Sequence, residues 1–73
     1  MDLLKVLGNM IHASMQARLF DINAILGNPT KDNALDQLEE SIKQYALLET
    51  QMNVIKRLSE EIDNAKQQNT DEN

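Results

Sequence analysis

A chain of 73 residues with seven basic and twelve acidic side chains, net charge −5, is one small domain without the concentrated basic surface that nucleic acid or an anionic membrane demands. The absence of cysteine removes disulfides, thiolate zinc sites and iron–sulfur clusters. So small a domain buries too little surface to rest on its own core and ordinarily adds a disulfide, a metal or a partner chain; with His12 the lone histidine, the partner chain is the route left open.

The N-terminal run Met1-Asp2-Leu3-Leu4-Lys5 has none of the features of a cleaved secretory leader, and no apolar stretch approaches the ~18–20 residues of a membrane span. The expectation is a chain made in the cytoplasm that does not insert into membranes.

The first predicted element is a helix over about residues 3–26. Asp2 is a suitable N-cap, and its carboxylate suits the positive end of a helix. At 100° per residue, Leu4, Ile11, Met15, Ile22 and Leu26 fall in one stripe, widened by Leu3, Leu7, Met10 and Ile25 on one side and Leu19 on the other. Lys5, Asn9, His12, Gln16 and Asn23 lie opposite.

Gly27-Asn28-Pro29 then breaks the helix. Gly27 is expected to take the left-handed conformation that ends a helix, and proline prevents continuation. Thr30, Asp32 and Asn33 are each acceptable N-caps for a second helix. So short a turn, over 27–32, returns the chain antiparallel to itself.

The second predicted helix runs over about 33–66, with Asp36, Glu39 and Glu40 crowding its positive end. Residues 67–73 contain nothing to bury and are expected to form a polar, flexible tail. The fold class is thus all-α: a two-helix antiparallel hairpin with a long second helix, oligomeric. The helices measure roughly 36 Å and 50 Å at 1.5 Å per residue, so the second overhangs the first.

Leu35, Leu38, Ile42 and Tyr45 gather on one side of helix 2 and are assigned, with Leu4, Ile11, Met15, Ile22 and Leu26, to the hairpin core. Leu48, Met52, Ile55, Leu58 and Ile62 follow at three- and four-residue steps, and Leu47 and Val54 extend them. On a straight helix this second group turns well away from the first, so those seven residues are assigned to an interface with another chain. The alternative is a supercoiled helix 2 whose whole stripe tracks helix 1.

Little here points to chemistry. His12 has no acid at i±3 or i±4, and Ser14, Ser41 and Ser59 lack a glycine-framed elbow or a histidine partner. Glu39-Glu40 and Glu60-Glu61-Asp63 read as solvated helix faces; Glu39–Lys43 and Lys56–Glu60 read as ordinary i,i+4 pairs. No catalytic, cofactor-binding or metal-binding residue is assigned, and the chain is not expected to be an enzyme.

The stretch Asn28-Pro29, Ala34-Leu35, Leu38, Ile42, Gln44-Tyr45-Ala46-Leu47-Leu48 and Val54-Ile55-Lys56-Arg57-Leu58, ending in Ile62-Asp63, resembles the needle subunits of bacterial type III secretion systems. These form helical hairpins of similar length around a proline-containing turn, with a tyrosine and aliphatic residues in the second helix. The family's second turn proline is replaced here by Asp32, and its apolar C-terminal segment by polar residues from Lys66 onward. The resemblance implies export to the cell surface without leader cleavage, homo-oligomeric growth into a hollow tube, and helical chaperones covering the second helix beforehand. Without it, the expectation is a cytoplasmic dimeric hairpin, a binding module or secretion chaperone that holds a partner helix.

Overall fold

The computed structural model describes residues 2–71, with side chains described for residues 2–65. It contains two helices and, among the described residues, no strand: α1 spans Leu3–Leu26 and α2 spans Ala34–Asp71. The molecule is a rod of 65 × 19 × 13 Å.

Helix α1 begins where its sequence provides a cap. Asp2 is extended, at φ −93° and ψ 102°, and its side chain accepts the Lys5 N–H at 3.2 Å while its carbonyl accepts the Val6 N–H at 3.1 Å. The side-chain bond satisfies one otherwise unpaired donor of the first turn, and the carbonyl accepts the first intrahelical bond.

The turn departs from expectation at Gly27. This residue stays right-handed, at φ −75° and ψ −11°, and its N–H donates to the Asn23 carbonyl at 3.0 Å; Asn28 donates to Ile25 at 3.0 Å. The left-handed residue lies at the other end of the turn, where Asn33 takes φ 66°. Asparagine tolerates this conformation because its short polar side chain crowds the backbone less than a branched one. Between them Lys31 donates to Asn28 at 3.3 Å and Ala34 to Lys31 at 3.1 Å, two tight turns in succession. The Asn33 carbonyl then accepts the Gln37 N–H at 2.9 Å, which makes Asn33 the cap residue of α2 among the three candidates.

Helix α2 continues to Asp71, beyond the bound near Lys66 expected from composition. No glycine or proline interrupts Lys66–Asp71, and extending an existing helix adds one backbone hydrogen bond per residue with no new nucleation cost. Glu72 and Asn73, the end of the expected flexible tail, lie outside the described residues.

The helices run antiparallel. Gly8 lies against Ile55, Arg18 against Gln44, and residues near Ile25 face those near Leu38, so paired positions sum to a nearly constant value. On α1 the buried and half-buried apolar line is Leu4, Ile11, Met15, Leu19, Ile22 and Ile25, with Gly8 in register. On α2 it is Ala34, Leu38, Ser41, Tyr45, Leu48, Met52, Ile55 and Ser59. Steps of four and three alternate along the whole α2 line. This heptad spacing drifts by only ~20° per seven residues, which a slight left-handed supercoil absorbs.

That geometry corrects the division of α2 into two clusters. Leu48 and Met52 are half-buried and Ile55 is buried against α1, so these three belong to the hairpin rather than to a separate face. Conversely, Leu26, Leu35 and Ile42, assigned to the core, are 58%, 77% and 50% exposed. Each stands one residue beyond a position on the contact line (Ile25, Ala34 and Ser41), and one residue is 100° around the helix. Small residues occupy the line at Ala34, Ser41 and Gly8, while bulkier neighbours such as Leu35 and Ile42 are turned outward. Leu4, Met15, Ile22, Leu38 and Tyr45 are half-buried and Ile11 is buried, all on the contact line.

Beyond Ser59, α2 runs on for about 18 Å at 1.5 Å per residue, with no length of α1 left to pair with it.

Candidate functional site

The groups with any capacity for chemistry stay apart. His12 and Ser14 are exposed, Ser59 is half-buried, and Ser41 is buried on the contact line. Among the described residues no group of three His, Asp or Glu side chains is placed to hold a metal ion. Lys43 pairs with Glu39 at 3.3 Å, as its spacing suggests. Lys56 and Glu60 form no such pair among the described residues; a lysine preceding a glutamate is the less favourable orientation along the helix dipole.

One polar chain crosses between the helices. The Arg18 Nη1 donates to Gln44 Oε1 at 3.0 Å, Gln44 Nε2 donates to Glu40 Oε1 at 3.1 Å, and the other Arg18 nitrogen meets Asp21 at 3.3 Å. All of these groups are accessible to solvent, so the chain positions the helices more than it stabilises them.

The surface also carries many apolar side chains. Among the described residues only Ile11, Ile55 and Ser41 are buried, whereas twelve large hydrophobic side chains are exposed, among them Leu3 at 74% and Phe20 at 75%. Scattered exposed hydrophobics are ordinary on a protein surface, but contiguous ones mark interaction sites.

Their distribution follows from the heptad. The helices form a two-rod ladder with two broad faces. Ser14, Ala17 and Arg18 line an open groove of about 480 Å³ with Gln44, Leu47 and Leu48. On the same face, nearer the turn, Asp21, Ala24 and Ile25 line a second groove of about 560 Å³ with Gln37, Glu40 and Ser41. The seven-residue repeat carries this face toward the open end of the hairpin through Leu3, Leu7, Met10, Val54 and Leu58, all exposed. The opposite face is built from residues one step past the contact line. At the turn end it presents exposed Leu26, Leu35 and Ile42 beside half-buried Leu19; at the open end it presents Lys5, His12, Glu49 and Lys56.

The first face is therefore apolar toward the open end and polar near the turn, whereas the second mixes exposed Leu26, Leu35 and Ile42 with Asn23 and Glu39 near the turn. The first face carries Asp21, Gln37 and Glu40 near the turn, and the second carries Lys5, His12, Glu49 and Lys56 at the open end.

Of the seven residues assigned to an interface, Leu47, Val54, Leu58 and Ile62 are exposed, whereas Leu48, Met52 and Ile55 turn inward. The residues missed as surface are Leu26, Leu35 and Ile42, placed in the core, Leu3, Leu7 and Met10, placed in the stripe of helix 1, and Val6 and Phe20. An alternating four-three register carried back from Ile55 through Met52, Leu48 and Tyr45 would have placed Leu35 and Ile42 on the flank; it says nothing of Leu26, which lies on α1. Among the described residues no helix is long and apolar enough to cross a membrane. No protein-family model, curated protein or solved structure matches the chain.

Proposed function

We propose that this chain is a self-assembling structural subunit that polymerises through its helical hairpin, in the manner of a type III secretion needle protomer. The observation that carries the reading is the imbalance, among the described residues, between three buried side chains and twelve exposed large hydrophobic ones. A hairpin with so small an interior gains most of its hydrophobic stabilisation by packing against further chains. The overhang of α2 beyond Ser59 has the same consequence, since Ile62 is left without cover from α1. In this reading the chain catalyses no reaction and holds no cofactor; its partners are other copies of itself and, before assembly, helical chaperones. The needle resemblance adds that the assembled form lies at the cell surface.

Size as a function of concentration tests the reading. Sedimentation and electron microscopy of the purified full chain are expected to show particles that lengthen into filaments as concentration rises. The groove beside Ala17 and Leu47 favours a second reading, a hairpin dimer that holds a partner helix. A sharp dimer unchanged across a wide dilution series would select it, and a stable monomer would refute both.

A further inference from the structure

We infer that α1 carries a second seam on the side away from α2, and that its occupant is the same seam of a second copy, running antiparallel about a twofold axis. Such a pair goes beyond filament growth, because it closes on itself; growth would use other surfaces, such as exposed Leu47, Val54 and Leu58 of α2.

Leu3, Val6, Met10, Ala13, Ala17, Phe20 and Ala24 follow one another at alternating steps of three and four, the spacing of a coiled-coil seam, and all are exposed. At 100° per residue this line lies about 160° around α1 from the line that meets α2. Leu7, Ser14 and Asp21 border it on one side, and Asn9, Gln16 and Asn23 on the other. Asp21 is the one charge among these, and it is already paired with Arg18 at 3.3 Å. The outward side of α2 is the reverse, with exposed Asp36, Glu39, Lys43, Arg57 and Glu60. The back of α2 is built for water, and the back of α1 is not.

Area and shape select a second copy as the occupant. Leu3, Met10 and Phe20 are 74%, 62% and 75% exposed, and Val6 is 41% exposed. With Leu7 and the three alanines they leave roughly 700 Å² per copy, so a pair covers up to about 1,400 Å² in all, within the range of about 1,200–2,000 Å² for stable interfaces. The stripe is also its own complement when reversed. In an antiparallel pair centred between Met10 and Ala13, Met10 faces the mate's Ala13, Val6 faces the mate's Ala17, and Leu3 faces the mate's Phe20. A bulky side chain meets an alanine in each inner layer, which keeps the packing even. A parallel pair would set Ala13 on Ala13 and Ala17 on Ala17 between bulky layers of Met10 and Phe20, leaving a void in the middle of the seam.

The chain has no cysteine, so single cysteines report the pairing. Full-length Val6→Cys and Ala17→Cys are oxidised separately and as an equimolar mixture, with helix content checked by circular dichroism. The mixture is expected to give a disulfide between the two variants, and neither variant alone is expected to give one. Like residues of the pair stand about 16 Å apart along the axis at 1.5 Å per residue, and a disulfide joins Cα atoms within about 7 Å. In sedimentation, Ala13→Glu is expected to raise the dissociation constant of the pair at least about tenfold by placing carboxylates beside the axis, whereas Asn53→Glu on the back of α2 leaves it unchanged. A disulfide within either variant alone marks a parallel pair and overturns the inference. So does the absence of any mixed disulfide while the unaltered chain forms filaments, a result that leaves assembly standing. A cross-linked pair that never lengthens keeps the inference and removes filament growth. An unaltered chain that stays monomeric removes both.

Discussion

Replacing Gly8 by alanine probes the register of the hairpin through a single methyl group. Gly8 sits on the contact line of α1, and a Cβ built there lies 3.9 Å from Ile55 Cγ2, an ordinary van der Waals separation. Two effects act in the same direction. Alanine in a helix interior is favoured over glycine by about 0.8–1.0 kcal/mol, mostly through the conformational freedom glycine loses on folding. A methyl group half-removed from water adds roughly 0.4 kcal/mol, about half the value for a buried CH₂. Gly8→Ala is therefore expected to stabilise the hairpin by about 1–1.5 kcal/mol. For a domain of this size that is a rise in melting temperature of roughly 5–10 °C. Thermal unfolding followed by circular dichroism measures it, with protein concentration held fixed because assembly also shifts the apparent midpoint. Asn9→Ala, on the exposed side of the next residue, serves as a control that reports propensity without the contact. A Gly8→Ala protein that melts below the unaltered chain would mean that the helices meet more closely than 3.9 Å at this point, or in another register, and the pairing of Gly8 with Ile55 would be wrong.

Two further predictions separate neighbouring positions. In the turn, Gly27→Ala is expected to be neutral or to stabilise by up to about 1 kcal/mol, because Gly27 is right-handed and the new Cβ would meet the Asn23 carbonyl at an acceptable 3.4 Å. Asn33→Val, which forces a branched side chain into a left-handed backbone, is expected to cost about 1–2 kcal/mol in the same unfolding assay; the opposite ranking would mean that the turn has been assigned backwards. In α2, Leu48→Asp places a carboxylate on the half-buried line facing α1 and is expected to lower helix content. Leu47→Asp, on the exposed flank, is expected to leave helix content intact and reduce the sedimenting fraction. Equal loss of helix in both variants, read by circular dichroism, would contradict the placement of Leu47 outside the hairpin.

How much of this can be read directly from the residues differs from element to element. The Asp2 cap, the span of α1 and the break at Gly27-Asn28-Pro29 are local matters, decided within a few residues by hydrogen-bond donors and backbone freedom, and they are legible in the amino-acid order. Even there, which residue turns left-handed is not legible. Glycine is the usual choice, but the turn from Asn28 to Ala34 places its one reversal at Asn33, and Gly27 is left free to continue the right-handed path. The end of α2 is a second local miss. Polarity alone suggests a stop near Lys66, whereas a helix already formed extends through polar residues when no breaker intervenes.

The sorting of apolar residues into inner and outer is a different kind of question. Composition and periodicity establish that both helices are amphipathic and that their apolar residues exceed what one antiparallel neighbour can cover. They do not select the seam. A reading that favours the largest side chains places Leu26, Leu35 and Ile42 inside; the structure instead puts Ile25, Ala34 and Ser41 on the line of contact and turns those larger neighbours outward. A shift of one position is 100° of rotation, so a small error in register exchanges seam for flank. Similarly, drift along α2 looks like a change of partner on a straight cylinder and disappears once the pair supercoils. Propensity and capping act along the chain and are present in the sequence itself; the seam, and with it the sorting of apolar residues into inner and outer, exists only when two helices meet in one particular register.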